Sequence, residues 1–261
     1  MTNRLFWLPI PSNRAIPAWI VVLLLMSIPS LHADLFVYEG FDYPAGPLVG
    51  QAGGTGWSEP WHGVNGANAH GLVAADSLKA PQAIATKGGH MQTNEGDSPM
   101  MRALSTPLFK ATGVTWISFL ARNDSSQIEA TYSFLKFAAA GGNDDASLHV
   151  GKGYSGKNWE MKMGSQTQDL GVASDNTTVL FVLRIESTGK PENDSVQVFV
   201  NPAIASAPTT PSATMTGVTL KPLDEVVIQS GNGIKAFSYD EIRMGTTFAD
   251  VVPPTTDGSA K

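Results

Sequence analysis

Two acidic side chains, Glu39 and Asp240, are the first candidates for chemistry, because each stands among apolar residues in a strand-like segment. Counting every second residue puts Glu39 on the face of Leu35, Val37 and Phe41, and Asp240 on the face of Ala236, Ile242 and Met244. If those faces point inward, both carboxylates are buried, and a buried charge takes a partner or a proton. An Arg or Lys, a cluster of backbone N–H groups, or a cation would each serve, and an all-oxygen ligand set selects Ca2+. Local backbone or Arg243 would satisfy the same carboxylates without a metal.

A second group is Trp57, Trp61 and His62, with Asn65 nearby, in a Gly-rich stretch over residues 44–71. Indole offers a flat apolar surface and one N–H donor, which suits the C–H face of a sugar ring. The three residues are therefore a candidate carbohydrate platform. The alternative is that both indoles plug an open end of the fold and hold the loop down. The histidines at 62, 70, 90 and 149 lack the spacing of a zinc motif. No nucleophile elbow or phosphate loop is present.

The elements that would position these residues read almost entirely as strands. Val114 to Ala121, Thr131 to Ala138 and Thr178 to Glu186 are near-continuous apolar runs rich in β-branched and aromatic residues, the pattern of strands covered on both faces. Trp159 to Met163, Ser195 to Val200, Glu225 to Gln229 and Ala236 to Met244 complete the set, and Trp159, Met161 and Met163 alternate inward against outward charges. Residues 141–145 and 187–194 carry hairpin-turn chemistry, and residues 202–222, with four prolines, read as one long crossing loop. Many short strands without a helical period predict a two-layer antiparallel β-sandwich or jelly roll. The matching ends, Leu35 to Tyr43 and Phe237 to Phe248, predict that its first and last strands are neighbours.

The chain has 261 residues, no cysteine and a net charge of −6. Residues 1–33 combine Arg4 and Arg14, an apolar run from Ala18 to Ile28 and a small residue, Ala33, before Asp34. That run is about half the ~20 residues of a membrane span, so the segment predicts a cleaved signal peptide, a secreted, periplasmic or cell-surface location, and no membrane span after cleavage; its long n-region makes an uncleaved anchor the alternative. Losing two arginines leaves residues 34–252, the expected single domain, more acidic still, which argues against nucleic acid as a partner. Residues 253–261 read as a polar tail.

Several segments together resemble a group of exported bacterial proteins, mostly uncharacterised, with a concanavalin A-like (laminin G-like) jelly roll. They are Tyr38-Glu-Gly-Phe-Asp-Tyr43, Gly54-Thr-Gly-Trp-Ser58, Pro211-Ser-Ala-Thr-Met-Thr-Gly217 and Tyr239-Asp-Glu-Ile-Arg-Met-Gly-Thr-Thr-Phe-Ala-Asp250, so the resemblance covers nearly all of the mature chain. A wider similarity is to the jelly roll of family 16 glycoside hydrolases. That similarity implies a structural calcium between the first and last strands, held by the Gly40 carbonyl and Asp240, with Glu39 as a further ligand.

The catalytic part of the resemblance is missing. No Glu-x-Asp-x-Glu triplet places two carboxylates on one strand face ~5 Å apart. Gln166, His149, Tyr154 and Arg184 supply the residue types of jelly-roll polysaccharide lyases without their motifs. The sequence thus predicts an exported non-catalytic module that binds carbohydrate or is a structural part of the cell envelope, with a glycan or cell-envelope component as partner. The alternative is a divergent polysaccharide hydrolase or lyase using acids such as Glu129 or Glu160.

Overall fold

The computed structural model describes residues 34–64, 70–94, 99–109, 112–125, 131–140, 143–231 and 237–255. Its strands form two antiparallel sheets. The nine-stranded sheet runs β14 (Ala213–Thr216), β13 (Ser195–Val200), β12 (Val179–Ser187), β7 (Gly113–Asn123), β16 (Phe237–Gly245), β5 (His90–Gln92), β4 (Leu72–Ala74) and β2 (Gly46–Pro47), with β1 (Leu35–Glu39) also on β16. The seven-stranded sheet runs β11 (Gln166–Ala173), β10 (Asn158–Met163), β9 (Asn143–Lys152), β8 (Tyr132–Ala139), β15 (Leu223–Gly231), β6 (Met100–Leu108) and β3 (His62–Gly63). This is the expected two-layer jelly-roll sandwich, and its first and last strands are paired, with Glu39 opposite Ile242 and Val37 opposite Met244.

The apolar runs are explained by burial on two sides. Ile117, Phe119 and Ala121 of β7 and Phe181, Leu183 and Ile185 of β12 enter the core between the sheets, where they meet Leu135, Phe137, Trp159 and Met161. The intervening Trp116, Leu120, Leu180 and Val182 face the other way and pack under Leu78, Ile84, Phe248, Val251 and Val252. A layer of chain therefore covers the outside of the nine-stranded sheet, and alternate side chains of β7 and β12 are apolar for different reasons.

Four expectations about local structure change. Ala139 already pairs with Asn143, so the turn between β8 and β9 is tighter than residues 141–145. Residues 202–222 contain a strand, β14, whose Thr216 and Ala213 pair with Ser195 and Val198. The closing strand stops at Gly245 rather than Phe248. Asp250 accepts hydrogen bonds from the Thr246 and Thr247 backbone (3.0 and 2.7 Å) and starts a single helical turn, α1 (Phe248–Val251).

The fourth change matters most for the site. β16 carries a bulge between Asp240 and Arg243, with Glu241 in the left-handed region (φ 54°). An extra residue in a strand reverses the facing of everything beyond it. Phe237 and Tyr239 point into the inter-sheet core before the bulge, and Ile242 and Met244 do so after it. Asp240 therefore does not share a face with Ile242 and Met244; it points to the outer layer.

Candidate functional site

Glu39 points into the sandwich, as the alternation predicts, and it is saturated there. Its Oε1 accepts the Phe41 N–H at 2.9 Å, while its Oε2 accepts Tyr43 Oη (2.8 Å), Trp61 Nε1 (3.0 Å) and Arg102 Nη1 (2.5 Å). Both members of the Glu39–Arg102 pair are almost fully enclosed. Arg102 lies on the inward face of β6 with Met100 and Leu104, so the pair bridges the two sheets. Its Nε donates to the Glu59 carbonyl at 2.7 Å, and its guanidinium carbon lies 4.9 Å from the centre of the Trp57 ring. Burial pushes the Glu39 carboxyl above its ordinary range, against the pull of Trp61, Tyr43 and Arg102.

Asp240 is saturated by different donors. Its Oδ2 accepts Ser77 Oγ (2.6 Å) and the Leu78 N–H (2.8 Å), and its Oδ1 accepts the Glu241 N–H (2.8 Å). Burial raises its pKa to about 8, the Ser77 hydrogen bond opposes this, and the charge of Glu241 adds to it. Arg243 is engaged by Glu241 and by the Ala85 carbonyl (2.9 Å), not by Asp240.

Gly40, Asp240 and Glu39 consequently do not fit the expected calcium site. N–H and O–H donors already occupy the carboxylate positions a cation would take, and Glu39 has a guanidinium as its counter-charge. Among the described residues, no group of three or more His, Asp or Glu side chains gathers around a common point.

The aromatic candidates separate. Trp61 is fully buried, stacked on Phe41 with ring centres 6.0 Å apart and its N–H given to Glu39. It turns no face outward, so the platform expectation does not extend to it. Trp57 is half-buried; its N–H donates to the Tyr38 carbonyl (3.0 Å) and Arg102 lies against its ring. Both indoles thus give their N–H groups to residues of β1, Tyr38 and Glu39. His62 stands apart from both, on the outer face of the seven-stranded sheet, bonded through Nε2 to Glu59 at 2.8 Å, a contact that raises its pKa.

That outer face carries the other cluster of chemistry-bearing side chains. Strand register aligns Lys162, His149, Lys136, Val227, Met101 and His62 in one row across six strands. The next row holds Glu160, Gly151, Phe134 and Gln229, and the row on the other side holds Glu225 between Ala138 and Ala103.

Aromatic rings lie along this surface. Phe134 and His149 have ring centres 5.6 Å apart, and Tyr132 and Tyr154 6.5 Å. Tyr132 leans over Gly231 of β15, where a β-carbon would come within 2.3 Å of its ring, so the ring lies down on the neighbouring strand. Tyr154, in the β9–β10 connection, is 54% exposed.

Glu160 lies against the same connection, its Oε1 only 2.5 Å from where a β-carbon at Gly153 would stand. Among the described residues no donor is within hydrogen-bonding distance of its carboxylate. Burial raises its pKa, Lys162 opposes this, and Asp169 adds to it.

The acids on this face do not form a catalytic pair. Glu160 and Glu225 sit on β10 and β15, three strand spacings apart or about 14 Å, beyond either glycosidase spacing. Glu160 and Asp169 are cross-strand partners. Asp169, however, is held by Asn158 Nδ2 (3.0 and 2.9 Å) and the Gly171 N–H (2.7 Å), and Glu160 leans the other way over Gly153. Gln166, His149, Tyr154 and Arg184 do not assemble either, because Arg184 is on β12 of the other sheet, paired with Glu186. Glu129 lies outside the described residues.

Sequence reasoning missed Arg102 and the Tyr132–Phe134 face. The available signals were the alternation of Met100, Arg102 and Leu104, and of Tyr132 and Phe134 with Ser133 and Leu135.

These features define a class: a jelly-roll sandwich with one sheet covered on its outer side and the other carrying aromatic and polar side chains. Solved structures share its fold. The endo-β-1,4-glucuronan lyase of the fungus Trichoderma reesei aligns with a TM-score of 0.54 at 12% identity, over 84% of this chain and 99% of that one. The globular domain of T. cruzi calreticulin gives 0.53 at 13%, over 82% and 88%. An endo-1,3-β-glucanase from Streptomyces sioyaensis gives 0.50 at 8%, over 83% and 97%. At these identities the likeness establishes the fold. No protein-family profile and no curated protein sequence matches the chain.

Proposed function

We propose that this is an exported, non-catalytic glycan-binding protein whose ligand lies along the outer face of the seven-stranded sheet, from Tyr154 and Tyr132 past Phe134 toward His62. The observation that carries the reading is the exposed Tyr154 beside Tyr132 and Phe134, rings laid on the sheet with Glu160, Gln229 and Lys162 at their edge. One exposed ring, Tyr154, with the half-buried Tyr132 and Phe134 beyond it supports a match to the apolar face of a sugar, while the flanking polar groups match hydroxyls. Two of the fold relatives, the glucuronan lyase and the glucanase, are named for polysaccharides, which is consistent with a glycan partner. The separation of Glu160 from Glu225 and the engagement of Asp169 favour binding over cleavage.

Residues 1–33 support export, and the mass of the secreted chain tests it: cleavage before Asp34 is expected. Affinity electrophoresis of the full chain in gels containing soluble polysaccharides tests the function. Retardation by at least one polymer, with no new reducing ends and no rise in absorbance at ~235 nm on prolonged incubation, is the expected result. Migration unaltered in every gel, or product formation, overturns it.

A further inference from the structure

We infer that a trough at one end of the sandwich, walled by Phe36, Phe109 and Val114, is a binding site for a single hydrocarbon chain, the acyl chain of a lipid. This goes beyond the glycan-binding reading and does not depend on it. The trough has a volume of about 670 Å³, within the usual range of small-molecule sites. Phe36, Pro107, Leu108, Phe109 and Val114 form its apolar wall, and Thr106, Thr112 and Thr115 add hydroxyls. No charged side chain is among the described residues that line it. The part of a ligand held here is therefore uncharged, because a charge would lose its hydration with no counter-charge to replace it. Two runs of consecutive residues, 106–109 and 112–115, make the sides, which suits an elongated guest.

Three irregularities of the backbone converge on this place. β1 pairs Leu35 with Gly245 and Val37 with Met244, so Phe36 is an extra residue outside the ladder. β6 leaves register with β15 between Ala103 and Leu108, and the excess chain carries Thr106 and Pro107. Phe109 follows in the left-handed region (φ 58°), a conformation bulky residues rarely adopt. Bulges re-aim side chains beside functional sites, and strained backbone persists where the surroundings impose it, as at ligand clamps. Here two off-pattern residues bring their phenyl rings to the same trough. Leu35 and Phe36 are also 40% and 36% exposed, two of the few large apolar side chains at the described surface. Apolar surface left open beside a pocket marks an interaction site. A hydrocarbon chain matches these walls, because it asks no hydrogen bond of phenyl and valine side chains. Its bed is firm: Leu108 and Phe109 join the core between the sheets, and Val114 joins the outer apolar cluster.

The experiment titrates the full chain with N-phenylnaphthylamine, an uncharged fluorophore that brightens on leaving water, and then adds monodecanoylglycerol below its micelle concentration. The expected result is a saturable rise in fluorescence, reversed by monodecanoylglycerol and not by glycerol. Phe36→Ser weakens probe binding about tenfold, the worth of one apolar side chain. Phe109→Asn weakens it by a similar factor and remains folded, because asparagine tolerates the left-handed conformation and the relieved strain offsets lost packing. Melting curves check that both variants are folded; should Phe109→Asn fail to fold, the half-exposed Phe36 carries the test alone. No saturable rise, no displacement by monodecanoylglycerol, or probe affinity unchanged in the folded variants overturns the site and leaves glycan binding standing.

Discussion

Glu39 and Glu160 are both glutamates on strands, one fully buried and the other half-exposed, and they have opposite surroundings. Glu39 lies between the sheets and receives four hydrogen bonds, one from a buried guanidinium. Glu160 lies on the outside of the seven-stranded sheet and receives none from the described residues. A fully satisfied buried carboxylate is a fastener, and its removal is felt as lost stability. An unsatisfied carboxylate at the rim of an exposed aromatic pair contributes little to folding and is suited to accept donors from outside. The difference separates the acid that joins the sheets from an acid left at the surface.

The strongest way to break this comparison is Arg102→Met. It strands the Glu39 charge in the core, and unfolding in urea should report a loss of about 3–5 kcal/mol. Changing Glu39 to Gln in the same molecule should restore part of the loss, because the stranded charge is gone; a single substitution with no more effect than a surface change would remove the fastener.

The next effect is on pH dependence. The folded Asp240 carboxyl, raised to about 8, keeps a proton that the unfolded chain releases near the ordinary aspartate value of 3.8. Between those values the native state binds more protons, so stability should fall as pH rises from about 4 to 8. Burial shifts Glu39 and Glu241 in the same direction and steepens the trend. Asp240→Asn should flatten it, and thermal melts across that range check both slopes.

Smaller again is Glu160→Gln, which should leave stability within about 0.5 kcal/mol of the parent. A destabilisation comparable to Arg102→Met would place Glu160 among the fasteners. The least change is expected from chelation. With Asp240 occupied by Ser77, Leu78 and Glu241, EDTA should not move the melting temperature, whereas a metal bound only by the native state would make it drop.

The strands were legible where burial imposes a period. Trp159, Met161 and Met163 alternate because only one side of β10 meets the core. β7 and β12 read as unbroken apolar runs because a second layer covers their outer side. The pairing of the chain ends was legible from one acid set in each apolar strand. What each acid does was not legible, for two physical reasons. The bulge at Glu241 reverses facing in a way that counting every second residue cannot detect, so simple alternation puts Asp240 on the wrong side. Arg102 meets Glu39 across the space between the sheets, at a sequence separation of 63, where no local pattern relates them. β14 was hidden in a proline-rich stretch because a short edge strand needs only one partner and carries little apolar signal. The outer face of the seven-stranded sheet was obscured because its aromatic residues come from β8 and the β9–β10 connection, and only register brings Glu160 beside them.

The extra residue in β16 also has a mechanical meaning. Glu241 is gripped by the Lys87 amide, by Tyr38 of β1 and by Arg243, so the odd position is held rather than free to migrate. Tension applied along β16 would load its ladders with β1, β5 and β7 together in shear, and a one-residue slip past β7 would have to drag this knot through the sheet. The bulge thus acts as a pawl against withdrawal of the closing strand from the sandwich.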